Sequence, residues 1–121
     1  MAGTVVTTER ASNSRSVKVI KFDWLSDGAG AADATTTETY DGKIIAVTTD
    51  PQAAAPDPNY NITLTDSNGV DVCLGAALLR HTANTEYLAE GVLGAVAGST
   101  LTLGVTAAGA TTEGDMYVWI R

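Results

Sequence analysis

The sequence predicts an all-β fold, an antiparallel β-sandwich or barrel. Three observations carry this. The composition is Thr-, Ala- and Gly-rich: eighteen Thr, nineteen Ala and twelve Gly against three Lys and one Phe. Thr suits exposed strand faces, while Gly and Ala suit turns and closely approached surfaces. Several runs alternate apolar and polar residues, the period of a strand with one face buried. Turn signals recur every ~8–12 residues, and no segment supports a helix of about ten residues. A chain of 121 residues and 12.4 kDa is one domain, large enough to bury one core without staples.

Residues 1–15 are Thr-, Ser- and Arg-containing, with one short apolar pair, Val5-Val6. They read as a flexible arm or an edge strand, and the sandwich domain is placed at 16–121. The first strong strand runs from Ser16 to Leu25. Val17 and Val19 alternate with Ser16 and Lys18, then the phase changes to Ile20, Phe22 and Trp24. Such a slip predicts a β-bulge near Val19-Ile20. Ser26 to Ala32 is a turn. Asp33 to Tyr40 is a Thr-rich strand, Asp41-Gly42 a hairpin signal, and Lys43 to Thr49 the returning strand. All three prolines fall between Asp50 and Asn59, which reads as a long loop. Tyr60, Ile62 and Leu64 alternate with Asn61, Thr63 and Thr65. Asp66-Ser67-Asn68-Gly69 is a turn, and Val70, Val72 and Leu74 return as a partner strand. Leu78 to Leu88 reads as loop then strand. Leu101, Leu103 and Val105 form another period-2 run, and Met116, Val118 and Ile120 face away from Tyr117, Trp119 and Arg121 in the last strand. This gives about eight strands.

Charge excludes several function classes. Seven basic against fourteen acidic residues give a net charge of −7 and a pI near 4.3. No two basic residues are adjacent, so phosphate neutralisation is poorly served and no nucleic-acid partner is expected. No stretch approaches the ~18 apolar residues of a membrane span, and the N-terminus lacks the basic and apolar regions of a signal peptide. Neither membrane association nor secretion is expected. Charged residues are only 17% of the chain. With so little Lys and Glu to cover it, the surface is expected to be partly hidden in a homo-oligomer.

Candidate chemistry is sparse. Cys73 and His81 are the only residues of their types, too few for a zinc site, and Gly-x-Ser-x-Gly does not occur. Cys73, between Val72 and Leu74, is expected to be a buried, inert thiol. His81, beside Arg80 and Thr82, is expected at the surface. Gly28-Ala29-Gly30-Ala31-Ala32-Asp33 falls one residue short of a dinucleotide fingerprint and leads into a strand, which provides no helix N-terminus for a pyrophosphate. Asp66 to Asp71 has the alternating oxygens of a calcium loop but Ala77 where the bidentate glutamate would fall, so a hairpin turn explains it. Asn61-Ile62-Thr63 lies mid-strand and reads as a chance glycosylation match. Fourteen acids leave open a carboxylate pair for glycoside hydrolysis, but no spacing selects one. Trp24 shares a phase with Ile20 and Phe22 and belongs to the core. Tyr117 and Trp119 point outward if Val118 points inward, and favour a protein interface; with Tyr87 they are also the candidates for stacking on a sugar. No cofactor and no catalytic residue is expected.

The assembled pattern resembles the small structural proteins of tailed-bacteriophage virions, in particular capsid decoration (cement) proteins. The likeness rests on Val17-Lys18-Val19-Ile20-Lys21-Phe22-Asp23-Trp24, the Thr-rich hairpin, the Pro-containing loop from Asp50-Pro51, Asn59 to Asp66, Gly69-Val70-Asp71-Val72, and Tyr117-Val118-Trp119-Ile120-Arg121. It implies a single jelly-roll-like β-sandwich, a trimer seated on the major capsid protein, and residence in the virion after synthesis in a host bacterial cytoplasm. Neck, tail and fibre-base proteins share the style. From the residues themselves, the expected contacts are Arg10 and Arg15 of the N-terminal arm 1–15, suited to carboxylates of a partner, with the outward Tyr117, Trp119 and Arg121 of the last strand. The alternatives are a carbohydrate- or receptor-binding module and, third, an enzyme with an undetected carboxylate pair.

Overall fold

A computed structural model describes residues 3–10 and 17–121. Among the described residues, nine strands form two antiparallel sheets packed as a sandwich, in agreement with the all-β expectation. They are β1 (Thr4–Arg10), β2 (Lys18–Leu25), β3 (Ala32–Thr35), β4 (Tyr40–Pro51), β5 (Asn61–Thr65), β6 (Glu86–Ala89), β7 (Ala95–Ser99), β8 (Thr102–Thr106) and β9 (Glu113–Ile120). The large sheet runs β1-β2-β9-β4-β6, with β7 also paired to β4, and the small sheet runs β3-β8-β5.

The alternating runs define the core. Ile20, Phe22 and Trp24 from β2 meet Met116, Val118 and Ile120 from β9 and Ile44 and Val47 from β4; Ile62, Leu64, Leu103 and Val105 close over them from the small sheet. The Trp24 ring tilts against Tyr60 at 5.6 Å between centroids. Gly114 makes room for it: a Cβ there would lie 2.4 Å from the indole.

Three expectations are corrected and one open alternative is decided. First, β2 keeps unbroken register with both β1 and β9, so there is no bulge near Val19-Ile20. Val19 is simply a half-buried residue of the outer face. Second, of the two readings of the N-terminal residues, Thr4–Arg10 takes the edge strand, paired from Thr4↔Leu25 to Arg10↔Val19. Its Glu9 carboxylate accepts the N–H groups of Thr37 (3.0 Å) and Glu38 (3.1 Å) and the hydroxyls of Thr37 (2.9 Å) and Tyr40 (2.8 Å). Third, Asp41-Gly42 is no hairpin. Tyr40 to Pro51 is one strand, and β3 before it belongs to the other sheet. Gly42, at φ +127°, marks an irregularity in β4 where a Cβ would lie 1.9 Å from the Arg121 carbonyl oxygen. Fourth, the Asp66–Gly69 turn forms, with Gly69 at φ +82°, but Val70 to Leu74 does not return as a strand. Asp71 intercepts it: its carboxylate accepts the N–H groups of Leu64 (3.1 Å), Cys73 (3.0 Å) and Gly75 (3.0 Å), curling the chain into successive turns.

Candidate functional site

The outer face of the large sheet brings most of the sequence-selected contact residues together. Strand register puts them in rows. Arg10, Val19, Trp119, Ala46 and Ala89 form one row, and Thr8, Lys21, Tyr117, Thr48 and Tyr87 the next. Tyr117 and Trp119 stack with centroids 5.8 Å apart and planes 17° off parallel. The Lys21 ammonium lies over the Tyr117 ring at 5.6 Å, a cation–π contact. Thr8, Arg10, Val19, Lys21 and Tyr117 line a shallow hollow of about 170 Å³. Tyr87 is 77% exposed, and Val6 on β1 is exposed as well. Arg121 follows β9 and is exposed; its backbone pairs with Lys43. Arg15 lies outside the described residues.

The third row is acidic. Val6 pairs with Asp23, Asp23 with Asp115, and Asp115 with Asp50. Three carboxylates on adjacent strands thus share one line across the face. Asp115 in the middle is 8% exposed. Its Oδ2 receives the Gln52 amide at 3.2 Å and faces Lys21 at 3.9 Å, while its Oδ1 is buried and, among the described residues, without a hydrogen-bond partner. Burial pushes the Asp115 carboxyl up to about 6; Asp23 adds to this and Lys21 opposes it. The same Asp115 raises the Lys21 ammonium, with help from Tyr117. The row is therefore a place where a proton, or a donor brought by a partner, is welcome near neutral pH.

The single-letter chemistry elsewhere resolves into structure. Cys73 is fully buried, and burial pushes its thiol up to about 12. His81 is exposed, and its Nδ1 accepts the N–H groups of Ala83 and Asn84, making it a loop cap. In the Gly28–Asp33 loop, Asp27 Oδ1 accepts the N–H groups of Ala29 and Ala31, and the chain enters β3. Asp66 Oδ1 is spent on Asn68 and Val70 within its turn, and Asn61 Oδ1 on Leu79. No group of three or more His, Cys, Asp or Glu among the described residues is arranged to hold a metal.

Sequence reasoning missed two parts of the face. Val19 was assigned to a bulge, and the acidic row was unseen because it joins residues far apart in the chain. The available signal was phase: Lys21 and Asp23 alternate with the core triplet of β2, as Asp115 and Tyr117 do with that of β9. No family model, no curated protein and no solved structure matches this chain.

Proposed function

We infer that this protein is a non-catalytic assembly component, of the kind that decorates a phage capsid, and that it attaches through the outer face of the large sheet. The observation carrying this reading is the Trp119–Tyr117–Lys21 stack, with Arg10 and Val19 in the row of Trp119 and the Asp23–Asp115–Asp50 row beyond Tyr117 and Lys21. Aromatic and arginine side chains on a flat strand surface are the groups that anchor protein interfaces. Each contact need bury only ~1,000 Å², because several copies engaging one lattice gain by effective concentration. The resemblance to cement proteins supplies the major capsid protein as the partner and a trimer as the attaching unit. The glycan-binding alternative draws on the same tyrosines and tryptophan, but Tyr117 and Trp119 turn ring surface toward each other, which leaves less of it for a sugar.

Co-sedimentation tests the reading. Heads assembled without this protein, from the phage whose genome encodes it, are mixed with the purified chain and pelleted. The wild type is expected to bind saturably and to raise the heat resistance of the heads. The pair Tyr117→Ala and Trp119→Ala is expected to bind at least about tenfold more weakly. No pelleting of the wild type ends the decoration reading, and undiminished pelleting of the double variant moves the contact off this face.

A further inference from the structure

The acidic row on the outer face of the large sheet is bridged on one side and open on the other. Between Asp50 and Asp115 stands the Gln52 side chain, whose Nε2 donates to Asp50 Oδ2 at 3.3 Å and to Asp115 Oδ2 at 3.2 Å. Asp50 Oδ1 also receives the Thr85 hydroxyl at 2.8 Å. Between Asp115 and Asp23 no such bridge exists among the described residues. These two are direct cross-strand partners, so their carboxyls are neighbours on one face. The Asp115 side chain is 10% exposed, and its Oδ1 is sealed from solvent without a donor, whereas Asp23 is exposed.

A buried carboxylate oxygen without a donor is costly. Two carboxyls side by side satisfy each other only if one keeps its proton, since an ionised carboxylate can only accept. The charges around the gap do not fill it. From β2, Asp115 is faced by Asp23 and by Lys21, whose ammonium stays 3.9 Å from Oδ2. From β4 it is faced by Asp50, and along β9 by Tyr117 and the exposed Glu113; β1, beyond β2, presents uncharged Val6 in this row. Asp23, Asp50, Asp115 and Glu113 thus share one ammonium. The burial that raises the Asp115 carboxyl agrees with a proton held there.

We propose that the gap between Asp23 and Asp115 seats an arginine side chain of the partner protein, which takes the place of a proton shared by the two carboxyls in the free chain. Arginine fits because adjacent strands stand about 4.8 Å apart, and a guanidinium offers parallel N–H groups to two carboxylates at once. A lysine would bring only a point charge, which Lys21 already supplies. A second copy of this chain, itself at −7, is repelled from the row. The exchange is proton for cation. Each arginine seated releases the shared proton to solvent, so attachment weakens as pH falls through the range where the pair takes it back. The inference deepens the attachment reading and rests on it for the partner's identity, but the seat is a property of the free chain.

Two measurements test it. In the first, the carbon-13 resonances of the side-chain carboxyls are followed in the labelled full chain from mild acid to neutrality, in sodium chloride and in N-acetylarginine amide, each at about 0.2 M. One titration step shared by Asp23 and Asp115 is expected. The arginine amide is expected to lower its midpoint by about 0.5, as a dissociation constant near ~0.1 M gives, and N-acetyllysine amide by less. Separate steps for the two residues, the same midpoint in salt and in arginine amide, or equal lowering by the lysine amide overturns the proposal. In the second, the head co-sedimentation is repeated at about pH 7.5 and about pH 5.5. The wild type is expected to bind about fourfold more weakly at the lower pH, the loss of ionised pair around a midpoint of about 6. Asp23→Asn with Asp115→Asn is expected to bind equally at both, and at least about tenfold more weakly than the wild type at the higher pH. Wild-type pelleting that ignores pH, or an unweakened double variant, overturns the seat and leaves the attachment reading. No pelleting of the wild type at either pH ends the attachment reading, and the free-chain titration then decides the seat alone.

Discussion

The outer face of the large sheet and the turn-rich end formed by residues 66–80 and 90–94 are built by different forces. The sheet is a set of backbone ladders whose buried side is set by alternation. The turn-rich end has little ladder. It is held by side chains acting on backbone: Asp66 and Asp71 on N–H groups, and Lys43, whose ammonium reaches the carbonyls of Glu90 (2.9 Å) and Leu93 (2.5 Å). The contrast teaches where each region is vulnerable. The sheet fails by losing packing, and the turn-rich end fails by losing single polar groups.

The largest expected effect is in the sheet. Phe22 is fully buried at the centre of β2, so Phe22→Ala is expected to cost about 4 kcal/mol by cavity formation. Denaturant melts should show a lower midpoint for the whole molecule. Asp71→Ala comes next, at roughly 2–3 kcal/mol, since three N–H groups, two of them in part-buried bonds and that of Gly75 exposed, lose a charged acceptor. This damage should be local. Cys73 labelling by a bulky thiol reagent should accelerate more in Asp71→Ala than in Phe22→Ala, despite the smaller global loss. Equal acceleration would erase the distinction between the two regions. Lys43→Met should cost less, about 1–2 kcal/mol, and loosen the 3-10 turn, seen as faster amide exchange from Glu90 to Gly94.

The smallest effects are in pH. Asp115, raised to about 6, binds its proton more tightly in the folded chain than in the unfolded one. Its contribution therefore makes the fold more stable as pH falls from about 7 toward the ordinary aspartate range. Glu9 acts in the opposite sense. Burial raises its carboxyl, but the hydrogen bonds from Thr37, Tyr40 and Glu38 outweigh this and hold it below the usual value. The stability it provides is present above the ordinary glutamate range and is lost as pH falls through its lowered one. Melting temperature against pH should thus rise gently below neutrality and then drop in acid. Asp115→Asn should remove the rise and Glu9→Gln should shrink the drop.

What was legible in the sequence follows the same division. Alternation alone found the buried triplets of β2, β5 and β9 and placed Tyr117 and Trp119 opposite them. It was enough to set Trp24 in the core; Cys73, expected inside because Val72 and Leu74 flank it, is buried although the strand expected there does not form. Partner choice was not legible, because pairing is decided at a distance. Asp41-Gly42 looks like a hairpin locally, yet Gly42 answers to the carbonyl of Arg121. Val70 to Leu74 has the pattern of a strand, but one carboxylate, Asp71, diverts it. The acidic row is the product of register among three strands, which no single segment records.

The position of β9 carries a consequence for how the molecule comes into being. This strand is the last of the nine to leave the ribosome, yet it lies between β2 and β4. Until Glu113–Ile120 emerges, the strand pair β1–β2 and the group around β4 have no ladder to join them, and each presents a bare strand edge. Closure must then bring together segments most of the chain apart, a slow event compared with local hairpin formation. Newly made chains are accordingly most at risk of sticking to one another in that interval, and a nascent protein halted before residue 113 is expected to precipitate rather than wait.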